Sequence, residues 1–418
     1  SRPAARAIRG AAGGTPRGGV VLVLRVAGEL ARAATAYVLF HADLSRFVEH
    51  RPSILHWLMT PSAAFGEIGM GLLRAIRPWH TWIAGWGYDL SGPTPDFDPE
   101  SVKARIRGYV GDQDLEIEIE SCSSWYVNQA HATQYSKGRV FCGGDAVHRH
   151  PPSSGLGSNT SIQDAFNLAW KLAFVIQGHA GPQLLETYSD ERAPVGKQVV
   201  ARANQSRVDY APLNECFRTT GEADPVAAGL AKLRDPGPDG VAVRDALTEA
   251  LELKNYEFNA QGVELNQRYT STAVVPDLNL GEEEQFARVP QLYLQATTRP
   301  GAKLPHAWLL GADGQRVSTL DVTGKGRLSL VTGLAGRSWA RAATKLDLPF
   351  MRTVVIGAKG AEDVYRDWAR IRQIHEAGAL LVRPDGYIAW RQPAATWDDN
   401  DALNQLQSAL AAVLSADY

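Results

Sequence analysis

The run Gly138–Ala173, GRVFCGGDAVHRHPPSSGLGSNTSIQDAFNLAWKLA, decides how the rest of the chain is read. Arg139–Cys142 is a short apolar burst that predicts a buried strand, and Gly143-Gly144-Asp145 ends it. A carboxylate would then stand at the C-terminal edge of a strand, where open α/β sheets hold ligands. Pro151, Pro152, Ser153, Ser154, Gly155 and Gly157 follow. Such a loop cannot be helix or central strand, but it lets backbone approach a ligand closely. A helix is predicted next. Ser158, Asn159, Thr160 and Ser161 are candidate N-caps, with Asp164 three residues after Ser161 as in a capping box. Ile162, Ala165, Phe166, Ala169, Trp170, Ala173 and Ile176 follow at helical spacing, and Gly178 is the stop. Strand, acid, glycine loop and helix N-terminus together can hold a polar, electron-rich ligand. The carboxylate accepts from sugar-type hydroxyls, and the first-turn N–H groups face a phosphate or an anionic ring.

This segment resembles the second FAD-binding motif of the single-component FAD-dependent aromatic hydroxylases, most nearly their phenol and 2,4-dichlorophenol monooxygenase branch. The resemblance implies FAD contacts at Gly144 and Asp145 (ribityl chain and ribose region) and at Pro152 (flavin ring edge). It also implies that Gly157, Ser158 and Asn159 face the flavin N1 and C2 carbonyl. It extends over His41–Pro61 and Gly69–Leu90, which look like the family's substrate sheet. Ile54, Trp57 and Met59 alternate in the first stretch, and Trp79, Trp82, Trp86 and Tyr88 in the second. Thr187–Val200 resembles the following helix with its Glu-Arg-x-Pro start, and Gly378–Arg391 the last hairpin of a C-terminal thioredoxin-like domain.

The implied fold class is α/β and α+β. It comprises an FAD/NAD(P)-binding hydroxylase fold incomplete at the N-terminus, a mixed-sheet substrate domain and a thioredoxin-like domain. The expected divisions are 1–34, an atypical basic leader; 35–137, the substrate sheet; and 138–210, the C-terminal part of the FAD domain. Residues 211–299 follow as a helical linker, and 300–418 as the thioredoxin-like domain. The implied activity is hydroxylation of a phenolic ring with NADPH or NADH and O2, through a flavin C4a-hydroperoxide. A Tyr and an Arg of the sheet position the phenol oxygen in this branch, and Tyr88 and Arg77 are residues of the right type. A homodimer is also implied.

A Gly-x-Gly-x-x-Gly turn between strand and helix, with an acid about 20 residues on, would bind the ADP half of FAD, and none is found. Residues 1–34 hold Arg2, Arg6, Arg9, Arg17, Arg25 and Arg32 against one acid, Glu29. A truncated or frame-shifted product, a partial chain and a transit-like leader are the readings of that stretch. Two alternatives to the monooxygenase reading follow: a non-catalytic remnant serving as an interaction or dimer module, and a relative acting on polycyclic or polyketide aromatics.

Composition adds bounds. A chain of 418 residues has room for two or three domains. A net charge of -2 offers no basic face for nucleic acid, and Val20–Val26 is too short to span a membrane. Cys122, Cys142 and Cys216 lack CxxC spacing, which points to reduced thiols in a cytoplasm and to no redox dithiol in the C-terminal domain. Asp145-x-x-His148-x-His150 invites a metal reading, but no second cluster completes it and none is expected. Arg149 is a candidate for a pyrophosphate. In the middle, Arg244–Leu253 is predicted helical and Tyr256–Tyr269 strand-like. Toward the end, strands at Leu328–Gly333, Thr353–Gly357, Gly378–Arg383 and Tyr387–Arg391 alternate with helices at Trp339–Leu346 and Asp363–His375.

Overall fold

The computed structural model describes residues 25–58, 71–88, 90–92, 95–217, 222, 224–281 and 284–418. Its first body is an antiparallel sheet of β1 (Val26–His41), β2 (Leu55–Leu58), β3 (Gly71–Arg77), β4 (Thr81–Tyr88), β5 (Glu118–Ala132) and β8 (His148–Arg149), in the order β2-β3-β4-β1-β5-β8. Period-two alternation sorts its faces. Ala36, Val38 and Phe40 of β1 point to the same buried side as Trp82, Ala84 and Trp86 of β4. They pack against Val102, Ile106 and Tyr109 of α2 (Pro99–Val110). That helix carries local signals at both ends: Asp98 accepts from the Ser101 N–H, Pro99 is the first residue, and Gly111 follows at φ 79°. Gly71 is needed at the closest approach, since a Cβ there would lie 2.7 Å from the Tyr109 ring.

Val26–Ala34, read from sequence as part of a basic leader, belongs to β1, with Val26–Glu29 and Ala33–Ala34 opposite β5 on either side of a register shift. The partner strand settles its conformation, a signal that composition lacks. Residues 1–24 and Met59 lie outside the described residues. A short helix α1 (Ser45–Val48) turns the chain between β1 and β2.

The anticipated buried strand at Arg139–Cys142 is reduced to β7 (Val140–Phe141), paired only with β6 (Ser136–Lys137) and partly exposed. Among the described residues no further strand flanks it, so its apolar side chains stay near the surface. Two long helices follow, α3 (Leu156–Ile176) and α4 (Thr187–Val208), and α4 runs through Pro194 rather than starting there. Next come α5 (Ala211–Phe217), α6 (Pro225–Arg234), α7 (Pro238–Glu252), α8 (Asn255–Phe258) and α9 (Gln261–Leu265). The last two replace the strand expected over Tyr256–Tyr269. Val263 and Tyr269 bury against Leu156, Val195 and Val199, and this packing outweighs the β-branched and aromatic content.

The C-terminal body begins with the hairpin β9 (Trp308–Leu310) and β10 (Arg316–Ser318), then α10 (Thr319–Val322). It continues as β11 (Leu328–Gly333), α11 (Arg337–Leu346), β12 (Met351–Ile356), α12 (Asp367–Ile371), β13 (Ala379–Val382), β14 (Ile388–Gln392) and α13 (Asp399–Leu414). The sheet order is β12-β11-β13-β14, with β11 and β12 parallel and β13 antiparallel to both its neighbours. The helix expected over Asp363–His375 shrinks to α12 because the Asp363 carboxylate accepts from the Trp368 and Ala369 N–H groups and holds a non-helical turn ahead of it. Trp170 and Phe174 of α3 share one core with Trp339, Leu406 and Leu410, so the two bodies are joined by apolar packing. Among the described residues no helix is long and apolar enough to cross a membrane.

Candidate functional site

Gly144 is buried at φ +62°, and a Cβ on it would lie 2.9 Å from Ser161 Oγ, so glycine is the residue the turn accepts. Its N–H donates to Asp164 Oδ2 at 3.0 Å. The same carboxylate lies 2.9 Å from His148 Nε2 and accepts from Arg192 Nε at 2.7 Å. Burial pushes the Asp164 carboxyl up, but His148, Arg192 and the Gly144 amide outweigh it and hold the acid below its ordinary range. Asp164 was expected in a capping box. It is the buried pin of the loop that carries Asp145.

Asp145 itself is exposed beside this turn, and Arg149, exposed too, donates from Nε to the Asp145 carbonyl at 3.0 Å. His150 Nδ1 lies 2.8 Å from the Pro151 carbonyl; burial pushes this imidazole below its ordinary value. His148 and His150 therefore have partners of their own. Among the described residues no three His, Cys, Asp or Glu side chains converge as a metal site.

α3 begins three residues earlier than the first candidate cap, Ser158, implies. Gly155, at φ 62°, is its N-cap, and no side chain caps the helix. Asn159 Nδ2 donates to the Gly155 carbonyl and Ser161 Oγ to the Gly157 carbonyl, both at 2.9 Å, so neither spends itself on an amide. The first turn of a 21-residue helix thus presents Gly157, Ser158 and Asn159 at its positive dipole end, with no acidic residue in that turn and no side-chain cap among the described residues. The uncapped amides, the exposed Asp145 and the glycine cradle form a donor and acceptor set suited to a flavin nucleotide.

Most of the apolar stripe on α3 faces out: Ile162, Phe166 and Ile176 are 66%, 51% and 80% exposed, and of its members Trp170 alone is buried. The buried side carries Thr160, Asp164, Asn167, Trp170, Lys171 and Phe174. Polar groups there are matched by α4. Tyr188 O–H donates to the Cys142 carbonyl at 2.8 Å, Lys171 Nζ to Glu191 at 2.8 Å, and Asn167 Nδ2 to Glu191 at 2.7 Å. Burial pulls the Lys171 ammonium down to about 8, against the opposing pull of Glu191. The Tyr-x-x-Glu-Arg spacing of α4 is therefore a binding pattern: each residue holds a different part of the loop or of α3.

A cavity of about 470 Å³ opens beside this loop. Pro151–Gly155 form one wall; the sheet face away from α2 forms the floor, through Ala33, Thr35 and Tyr37 of β1, Leu72 and Arg74 of β3, and Trp125 and Val127 of β5. Gly85 and Gly87 of β4 leave the floor low, and a Cβ on Gly85 would lie 2.8 Å from the Tyr37 ring. Trp57, Arg207, Glu257 and Glu264 close the far side. The Tyr37 ring meets Trp125 edge-on at 5.5 Å. Burial raises the Tyr37 phenol while the Arg74 charge pulls it back, leaving it protonated at neutral pH.

Tyr88 and Arg77, the residues picked from sequence, do not line this cavity. Tyr88 packs against the core behind the sheet, and Arg77 is exposed where β3 turns into β4. Strand phase is the reason: Tyr88 is in step with Trp82, Ala84 and Trp86, all on the α2 side. Pro152 does line it, and the turn with Gly157, Ser158 and Asn159 adjoins it through Gly155.

Residues 10–203 match the FAD binding domain family, and residues 297–416 the aromatic-ring hydroxylase C-terminal family. The chain is 45% identical over 398 residues to 2,4-dichlorophenol 6-monooxygenase of Delftia acidovorans, covering 94% of this chain and 67% of that one. It is 42% identical over 375 residues to phenol 2-monooxygenase of Pseudomonas sp. (strain EST1001), covering 88% and 61%. The flavin-dependent monooxygenase PieE, solved in complex with FAD and substrate, superposes with a TM-score of 0.84 at 40% identity, covering 94% and 67%. The chain thus spans about two thirds of the length of its relatives. Taken with the uncapped helix, the glycine turn and the aromatic cavity, these matches place the chain in the family of FAD-binding aromatic-ring hydroxylases.

Proposed function

We propose that this chain holds FAD at Gly144, Asp145, Pro152, Gly157, Ser158 and Asn159, and hydroxylates a phenolic ring of the phenol or chlorophenol type in the adjoining cavity. The observation that carries the reading is the adjacency of an apolar, aromatic-walled cavity to a helix N-terminus that no side chain caps. FAD, when bound, supplies the redox chemistry between NADPH or NADH, O2 and the ring. The chain's own residues bind, orient and exclude water. Asp145 accepts from the cofactor's hydroxyls, and the first-turn amides of α3 stabilise negative charge on its ring. Tyr37, protonated at neutral pH, donates to the phenol oxygen and favours its anionic form, with the Arg74 charge nearby. Trp57, Trp125 and Leu72 keep the ring dry. A homodimer, a cytoplasmic location and a thioredoxin-like C-terminal domain belong to the same reading; the free cysteines and the βαβαββα order over 328–414 support the last two.

The test is the visible absorption spectrum of the purified chain after incubation with excess FAD and desalting. Retained flavin bands, lost in Asp145→Ala, followed by phenol-dependent NADPH oxidation, are the expected result. A colourless protein favours the rival reading of a remnant that serves only as an interaction module.

A further inference from the structure

The FAD-domain helices and the C-terminal hairpin meet in one buried set of charges, across 192 residues of sequence at Glu191 and Arg383. Lys171 on α3, Glu191 on α4, and Arg383 and Asp385 on the β13–β14 turn have side chains at most 2% exposed. Arg383 donates from Nη1 and Nη2 to the two oxygens of Glu191 at 2.6 and 2.8 Å, and from Nη2 and Nε to Asp385 at 2.6 and 3.1 Å. Trp170 Nε1 donates to Asp385 at 3.0 Å. Two cations face two anions, so the set is neutral. Burial pushes the Glu191 carboxyl up, yet Arg383 and Lys171 outweigh it and keep the acid ionised.

The next residue of α4 carries the contact onward. Arg192 donates to Asp164, and its Nη1 to Gln267 Oε1 at 2.9 Å; Tyr387 of the hairpin donates to the same Gln267 oxygen at 3.2 Å. Asp164 in turn holds the Gly144 N–H and His148. A continuous line of directional bonds therefore runs from the C-terminal turn to the loop that presents Asp145. Stability alone does not call for such a set, because well-packed apolar residues of similar volume often serve as well or better. What a bidentate guanidinium provides is orientation, here of the β13–β14 turn relative to α4.

We infer that Arg383 is a positioning residue for the Gly144–His150 loop, so that the C-terminal body shapes the flavin site without touching it. The inference rests on the FAD assignment above. Its test compares the full chain with Arg383→Lys, which keeps the charge and loses the fork. Leu406→Ala serves as the control: it opens the shared apolar core and leaves the charged line intact. Two readouts are taken where circular dichroism shows each protein folded. One is amide hydrogen exchange of the Gly144–His150 peptide; the other is FAD affinity by quenching of flavin fluorescence. Arg383→Lys is expected to speed exchange and weaken FAD binding by about tenfold each, the size of a coupling carried through packed networks. Leu406→Ala lowers the melting temperature and moves neither. Unchanged exchange in Arg383→Lys, or equal changes in Leu406→Ala, overturns the inference. Should wild-type chain take up no FAD, the cofactor reading fails and the exchange arm alone decides the coupling. If Arg383→Lys does not fold, Tyr387→Phe replaces it. That variant breaks the bond to Gln267, and the same peptide must exchange faster or the inference falls.

Discussion

Gly196 lies in the interior of α4, where replacement by alanine ordinarily stabilises a helix by about 1 kcal/mol. Here the sign reverses. A Cβ at this position would lie 1.9 Å from the Tyr135 hydroxyl oxygen, 3.2 Å from its Cζ and 3.4 Å from His148 Cδ2. The Tyr135 ring cannot swing away freely: it is fully buried, packs edge-on against Tyr188 at 5.8 Å, and lies 6.4 Å from the His148 ring. Its own backbone N–H is tied to Ser189 Oγ at 2.9 Å. Overpacking of this kind costs about 1–3 kcal/mol and here opposes the propensity gain. With so hard a contact the upper part of that range applies, and Gly196→Ala should lose about 1–2 kcal/mol net. The Tyr135 hydroxyl finds no hydrogen-bond partner among the described residues, so Tyr135→Phe removes a buried orphan and should be neutral or stabilising. In the double variant the closest contact relaxes to the 3.2 Å carbon approach, and most of the alanine penalty should vanish. Urea unfolding followed by tryptophan fluorescence measures the cycle, with an expected coupling of about 1–2 kcal/mol. A Gly196→Ala protein as stable as wild type, or one whose deficit persists unchanged in the Tyr135→Phe background, would refute the reasoning.

Gly85→Val should raise the floor of the cavity against Tyr37 and weaken binding of a phenolic ligand by tenfold or more, at about 1–3 kcal/mol for a displaced methylene-sized volume, while FAD uptake is unchanged. A flavin absorbance titration with phenol reads both, and undiminished phenol affinity would show that the ring sits elsewhere. Glu191 and Asp164 are held below their ordinary values of 4.5 and 3.8, so the stability they confer is complete above those values and drains as pH falls through the lower folded ones. Thermal unfolding from pH 6 to 3 should therefore fall more steeply for wild type than for Glu191→Gln, which should already be weaker at pH 6 by about 3–5 kcal/mol because Arg383 and Lys171 lose their anion. Parallel curves would remove Glu191 from the acid response. Asp164→Asn leaves Arg192 without its carboxylate and should weaken FAD retention more than Asp145→Asn does; the reverse ranking in equilibrium dialysis would make Asp145, not the buried pin, the dominant support of the loop.

Much of the candidate site was legible in the linear chain because its parts obey local rules. A positive-φ glycine at Gly144, a proline pair at Pro151 and Pro152, and the amides of a helix start are set within a few residues, so their spacing survives as a motif. The same holds for the Asp98 and Gly111 caps of α2 and the succession of short strands and helices from β11 to β14. What the residues could not declare was which partner each long-range group meets. Asp164 resembles a capping acid until Arg192 and His148 are seen to converge on it, 28 and 16 residues away. Tyr88 and Arg77 are of the right type, yet strand phase turns Tyr88 to the core and leaves Arg77 at a turn, so Tyr37 and Arg74 line the cavity in their place. The apolar residues of α3 follow at helical spacing, yet most of them face out. The helix instead buries the face bearing Asp164, Asn167 and Lys171, because α4 and the Arg383–Asp385 turn supply charges that satisfy them. Sterics and hydrogen bonding between near neighbours determine turns, caps and strand periodicity from sequence alone. Pairing across up to 239 residues depends on which surfaces the folded chain brings together, and the tertiary structure alone decides that.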